Sequence, residues 1–428
     1  MPGTIEAGIC GFKHLACSGF VPCASSNNVC YEAGHICVHH PICHTHPICY
    51  PLSMAGEPFC PTITMTNTTT KPTLITTTTS ATTTTSQPEW SVTGNMTNGR
   101  VWHTASVLLN GKVLVTGGFG NRSYLNSAEL YDPSTGIWTT TGSMSNARSD
   151  HTASLLSNGK VLVSGGRYGN LDYLKSAELY DPSTGTWTTT GSMINERIWH
   201  IASVLSNGKV LVSGGSRNGA LNSAELYDPS TGTWTTTSSM IDRRFGYTVS
   251  VLSNEKVLVT GGRSVGNIIL NSVELYDPST GIWTTTSNMT NARHFHTASV
   301  LLNGEVLVTG GWSASTGYSN SAELYDPSKD IWTTTSNMNI ARGYHTASVL
   351  SNGKVLVTGG VNRNSDYANS AELYDPLTGT WTTISSMTDA RYSHKASIVL
   401  NGKVLVTGGY NYPIALNSAE LYELFHTN

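Results

Sequence analysis

From Trp90 onward the apolar and polar positions of the chain come in a fixed order, and the order repeats. One period, residues 148–193, reads "RSDHTASLLSNGKVLVSGGRYGNLDYLKSAELYDPSTGTWTTTGSM". Four short runs in it have strand character, with turn chemistry between them. "HTASLL" is rich in small residues, as a strand crowded near an axis requires. "KVLVSGG" is a continuous Val/Leu run of the kind buried on both faces, and it ends in a glycine pair open to φ > 0. "SAELYD" alternates, and "TWTTT" sets one large aromatic before β-branched residues suited to an outer strand. "SNGK" and "DPSTG" supply the Asn-Gly and Asp-Pro…Gly turns. The pattern predicts four antiparallel strands per period, the composition of a propeller blade.

The arginine of the period recurs at Arg100, Arg148, Arg197, Arg244, Arg293, Arg342 and Arg391, a spacing of 47 to 49. The double glycine recurs from Gly117-Gly118 to Gly408-Gly409, and the tyrosine of "ELYDP" from Tyr131 to Tyr374, ending as Tyr422 in "ELYEL". Seven copies are present. Arginine before the inner strand, Gly-Gly after the second, Tyr in the third and Trp in the fourth together resemble the kelch repeat, over about 88–423. The tryptophans Trp90, Trp138, Trp187, Trp234, Trp283, Trp332 and Trp381 decide closure, because the first precedes the first arginine and none follows Tyr422. The expectation is an all-β, seven-bladed kelch-type propeller with four antiparallel strands per blade. Its N-terminal strand around Trp90 completes the last blade and leaves only short protected edges.

Strand polarity sorts the loops into two faces. "NGK" and "DPSTG" share one and barely change between copies. The loop after Gly-Gly and the loop carrying "M…R" share the other, where the copies diverge: "FGNRSYLN", "RYGNLDYLK", "WSASTGYSN", "YNYPIALN". Arg122, Arg167, Arg217, Arg263 and Arg363 lie in these loops with Tyr168, Trp312, Tyr410 and Tyr412, and Trp102, Trp199, Phe295 and Tyr344 lie beside the repeated arginines. Tyr, Trp and Arg are enriched in binding hot spots, so these thirteen are the candidate ligand contacts. The repeated arginines face seven glutamates, Glu129 to Glu420, two strand spacings or about 9.6 Å away, and structural ion pairs are their expected role. The loop arginines have no repeated partner. The histidines His103, His151, His200, His296, His345 and His394 form a ring broken at Tyr247. They are expected to cap the inner strands rather than hold a metal, whose ligands must converge within about 2.0–2.6 Å. Neither metal nor cofactor is expected.

The first 87 residues are different material. Residues 1–60 hold all eight cysteines: Cys10, Cys17, Cys23, Cys30, Cys37, Cys43, Cys49 and Cys60. "CVHHPICHTHPIC", residues 37–49, adds four histidines, but no C-x₂-C pair of the kind zinc sites use occurs. In residues 61–87 threonine supplies 15 of 27 positions. Such a tract cannot build an apolar face, resembles an O-glycosylated stalk, and spans up to about 90 Å if extended. Four N-x-S/T sequons stand at Asn67, Asn95, Asn121 and Asn288. An even cysteine count in a small module, a mucin-like linker and sequons favour a disulfide-bonded extracellular module, of unreadable pairing, over zinc. No charged n-region and apolar h-region open the chain at Met1, so the extracellular reading expects a start upstream.

Net charge is −3 and only 12% of residues are charged, with no Lys/Arg run, which argues against nucleic acid. No apolar run reaches the roughly 18 residues a membrane span needs. The resemblance implies a non-catalytic recognition module binding a protein or glycan on the variable face. One alternative is an enzyme similar to galactose oxidase, although its Tyr–Cys radical cofactor has no cysteine to form from in this propeller. The other is an intracellular kelch substrate adaptor with a zinc-binding N-terminal segment.

Overall fold

The computed structural model describes residues 35–38, 48–51, 89–362, 364 and 366–423. The chain divides into two units, Met1–Thr83 and Thr84–Asn428. In the first, His35–Val38 pairs antiparallel with Ile48–Pro51, in a Cα register that sets Cys37 opposite Cys49. The other cysteines, the threonine tract and Asn67 lie outside the described residues.

The second unit is the seven-bladed ring. Its first blade runs Thr104–Val107, Val113–Thr116, Ala128–Asp132 and Ile137–Thr141, paired in that order from the axis outward. Five further blades repeat this order, and the seventh is the one that closes the ring. Its inner three strands are Lys395–Ile398, Val404–Thr407 and Ala419–Glu423, and Glu89–Val92 adds as the fourth, with Trp90 opposite Tyr422.

The core sits between blades. The "VLVT" or "VLVS" strand is buried at all four positions in every blade. Each interface joins residues of two blades. Between the first and second these are Leu108, Leu114, Ala128, Met144, Val161, Val163 and Tyr180. Burying each Leu, Val or Met among them contributes roughly 1.5–3 kcal/mol, and a like cluster recurs at all seven junctions. The fourth-strand tryptophan packs on the third-strand tyrosine of its own blade, as Trp187 does on Tyr180 at 5.1 Å. In six of the seven blades its indole N–H then donates across the junction, as Trp187 Nε1 does to the Gly142 carbonyl at 2.7 Å, whereas Trp138 Nε1 has no such partner.

The repeated arginines are wholly buried. Arg148 donates through Nη1 to the Gly165 and Ser176 carbonyls and through Nη2 to Glu178 at 2.7 Å. Glu178 in turn accepts the backbone N–H groups of Ser145 and Asn146. All seven arginines pair with their glutamate at 2.6–2.8 Å, so the expected ion-pair ring is present and ties each "M…R" loop to its blade. The glycine pair is needed for space as well as conformation. Gly117 and Gly118 have φ of 61° and 98°, and a Cβ would come within 2.5 Å of the Arg148 carbonyl at the first and 2.8 Å of the Val101 carbonyl at the second.

Candidate functional site

One backbone position aims side chains at the ring axis. Two residues after each arginine the chain turns left-handed: Trp102 (φ 57°), Asp150 (56°), Trp199 (52°), Gly246 (61°), Phe295 (53°), Tyr344 (54°) and Ser393 (51°). That conformation costs a residue with a Cβ about 1–2 kcal/mol, and six of the seven are not glycine. Backbone bonds hold it from blade to blade. Asp150 N–H donates to the Trp102 carbonyl and Trp199 N–H to that of Asp150. A second arc links Phe295 to Gly246, Tyr344 to Phe295 and Ser393 to Tyr344. Strained backbone of this kind gathers where a side chain has to be presented. Here it presents Trp, Asp, Trp, Gly, Phe, Tyr and Ser around one mouth.

The next residue along is the histidine ring. Its members bond to the neighbouring blade rather than capping their own strands. His151 Nε2 shares a hydrogen bond with Thr104 Oγ1 at 3.1 Å, and His296 shares bonds with Thr248 and Thr260 at 3.1 and 3.0 Å. The break at Tyr247 has a local cause. The blade it faces carries Ile201 where a threonine would stand, and the longer phenol reaches past it to Ser213, at 2.8 Å to the hydroxyl and 2.6 Å to the carbonyl. Burial holds the imidazoles neutral: His103, His151, His296, His345 and His394 lie well below the usual histidine range, and His200 is lowered to about 3. Burial pushes the Tyr247 phenol up to about 12.

Ring and mouth enclose an axial cavity of about 290 Å³, lined by Trp102, Asp150, Trp199, Phe295, Tyr344 and Lys395 with the histidines below them. Aromatic side chains line the mouth in two arcs. In the first, the Arg167 guanidinium lies between Trp102 and Trp199, 5.6 and 5.7 Å from their centroids, and Trp199 stacks on Phe245 at 5.4 Å. In the second, Phe295 stacks on Tyr344 at 4.0 Å, and Tyr344 leads through Tyr392 to Tyr367 and Tyr410. Burial raises the Tyr344 phenol strongly and the Tyr392 phenol to about 12, with neighbouring tyrosines adding to both.

The structure brings Trp102, Trp199, Phe295 and Tyr344 together at the mouth, and Arg263 and Trp312 to an adjoining groove that shares Tyr344. Tyr410 reaches the mouth by packing on Tyr392. Arg122, Tyr168, Arg217 and Tyr412 stand on the outer loops, away from the axial cavity, with Tyr412 72% exposed. Arg363 lies outside the described residues. Two loop arginines that lack a repeated partner have private ones, which takes from them the free charge the sequence suggested. Arg167 Nε donates to Asp150 at 2.9 Å, and Arg217 Nε to Glu196 at 2.8 Å. Arg263 lies 5.8 Å over the Phe245 ring and donates to Asn267. Asp150, His294, Tyr367 and Lys395 belong to the site and were not among the candidates. Asp150 could have been found as the one carboxylate at the position of Trp102 and Trp199, and Lys395 as the one cation where other copies carry Thr or Ile. Asn95, Asn121 and Asn288 are exposed.

A ring of blades with a divergent axial mouth defines the class, a β-propeller. Residues 227–417 match the attractin/LZTR1 β-propeller family, and residues 65–242 match the kelch-repeat domain family of KLHDC2, KLHL20 and DRC7. Together the two matches cover residues 65–417 with kelch-type β-propeller models, in agreement with the seven-bladed ring. No curated protein matches it in sequence. Among solved structures, a fungal alcohol oxidase of the AA5 family in complex with copper superposes with a TM-score of 0.65. The match covers 80% of this chain and 78% of that one at 21% identity, a likeness of fold. Among the described residues no helix is long and apolar enough to cross a membrane.

Proposed function

We infer that the propeller is a non-catalytic recognition module that takes a protein segment onto its axial mouth. The observation that carries this is the left-handed ring: one strained backbone position, held alike in all seven blades, and the side chain changed in nearly every copy. Half-buried Trp, Phe and Tyr offer large rigid contact area at low entropic cost, and kelch-type propellers commonly bind proteins. With Arg167 and Arg217 engaged in ion pairs, the segment this mouth suits is anchored by apolar or aromatic side chains, and acidic character is secondary.

The fungal oxidase raises a copper site as the alternative, and the donors present do not fit one. The propeller has no cysteine. The ring histidines are spent on threonines between blades, and among the described residues no three His, Cys, Asp or Glu side chains converge. Extracellular placement is part of the proposal, supported by the cysteine-dense segment, the threonine tract and the three exposed sequons.

The test is panning of a random peptide display library against the purified chain, and against a variant with Trp102, Phe295 and Tyr344 each replaced by glycine. Enrichment of peptides that bind only the natural mouth is expected. Equal enrichment on both proteins would sink the reading, and glycan-array binding with the same dependence would move the ligand class to carbohydrate.

A further inference from the structure

Beneath the mouth the seven blades differ at one more place. The first residue of the inner strand is Thr104, Thr152, Ile201, Thr248, Thr297 and Thr346 in six blades and Lys395 in the seventh. In its blade the usual pairing of that threonine with a second-strand hydroxyl is lost, and His103 keeps one partner, Thr407 at 3.1 Å. The lysine side chain lines the axial cavity and is exposed to the solvent within it. The protein walls around the cavity lower its pKa from the ordinary value, and the Asp150 carboxylate partly opposes that.

Among the described residues the Lys395 ammonium makes no hydrogen bond and no ion pair. Asp150 is committed elsewhere. Its Oδ2 accepts from Arg167 at 2.9 Å and Ser149 at 3.0 Å, and its Oδ1 from the Trp199 indole at 2.8 Å. The remaining walls are neutral imidazoles and threonines bonded to one another, under a rim of Trp102, Trp199, Phe295 and Tyr344. The ammonium is thus an unpaired cation on the wall of a recess that water reaches, and nothing in its own blade pairs it.

We propose that the axial cavity is a binding site for a small aromatic monocarboxylate, whose carboxylate is received by Lys395 and whose flat body rests against the mouth aromatics. The volume, about 290 Å³, is at the small end of ligand pockets. One free ammonium, with the Asp150 carboxylate already paired to Arg167, matches one negative charge, whereas a phosphate dianion needs several donors that this cavity does not supply. The site shares the mouth aromatics with the proposed docking surface, but Lys395, which that reading does not use, tests it separately.

The test uses the full chain and sodium benzoate as probe, with benzyl alcohol and inorganic phosphate as comparisons, followed by thermal melts and titration calorimetry. Lys395→Thr restores the residue that five other blades carry and is expected to fold; Lys395→Met, of similar length and without charge, is the second variant. Benzoate should raise the melting temperature of the natural protein saturably, and both variants should lose at least about tenfold in affinity, the scale of a charge-assisted hydrogen bond. Benzyl alcohol and phosphate should shift nothing. Undiminished benzoate binding in either variant, or no saturable benzoate shift in the natural protein, overturns the site. Lys395-dependent binding of phosphate above benzoate overturns the ligand class.

Discussion

A buried imidazole that stays neutral turns pH into a stability variable. Each ring histidine has a folded pKa below its unfolded value of about 6.5, so below that pH the unfolded chain binds the proton and the folded ring does not. Stability is full above about pH 6.5 and falls as the pH drops toward the lowered folded values, by up to about 1.4 kcal/mol per pH unit for each histidine. Six such groups act together, so a steep loss of melting temperature is expected between pH 6.5 and 4.5. Asp132, Asp181 and Asp228, held near 2 chiefly by the serines of their turns, add their part only at lower pH. A melting temperature flat from pH 7.5 to 5 would show that the ring accepts protons at little cost. Tyr247 offers a sharper test, because its size answers Ile201. Tyr247→His alone leaves a space and an imidazole short of a partner, at a cost of about 1–3 kcal/mol. Adding Ile201→Thr supplies the hydroxyl used in the other blades and should recover most of that loss. Two strictly additive effects in the double-mutant cycle would mean the two positions are not a pair.

At the scale of elements, the strand around Trp90 matters more than its length suggests. It contributes four paired residues to the seventh blade, and the Trp90 indole donates to the Ser385 carbonyl of the sixth. Met96, which follows it, is buried in the junction of the seventh and first blades. Deleting residues 1–86 should leave a folded ring. Deleting 1–96 should expose the third strand of the last blade and lower the melting temperature by many degrees. Similar melting of the two truncations would mean that the ring holds without its closing strand. The blades and their closure were legible because seven copies expose the pattern, and because the offset of Trp90 from Tyr422 admits one arrangement. The arginine–glutamate ring was legible for the same reason. The partners of Arg167 and Arg217 were not. Each lies 17 or 21 residues back in the preceding "M…R" loop, at positions where the other copies offer no carboxylate. The left-handed ring was hidden too, since Trp, Phe and Tyr do not advertise a positive φ as glycine does. Lys395 was passed over because, in sequence, it is one more residue of a small-residue strand.

The whole molecule separates what is kept from what is changed. On one face the "NGK" and "DPSTG" turns repeat with the same contacts: Lys112, Lys160, Lys209 and Lys354 each reach the turn aspartate of their own blade at 3.1 Å. On the other, the loops differ in length and form, and only the left-handed position two residues after each arginine recurs in all seven blades while its side chain changes. Drift in solvated loops would leave polar filler in relaxed conformations, whereas this face sets aromatics in a strained one. Replacing Trp102, Phe295 and Tyr344 by glycine separates binding from folding. Each exchange forfeits an aromatic contact and part of a half-buried ring's area and adds glycine's backbone entropy, but relieves about 1–2 kcal/mol of left-handed strain. The core between blades is untouched, so the ring should still fold and melt cooperatively while capture of the selected peptides is abolished. Ser134, Ser183 and Ser279 changed to alanine on the opposite face lose a bond to the turn aspartate and should leave capture intact. The reverse result, binding lost with the serines and kept without the aromatics, would put the recognition surface on the uniform face.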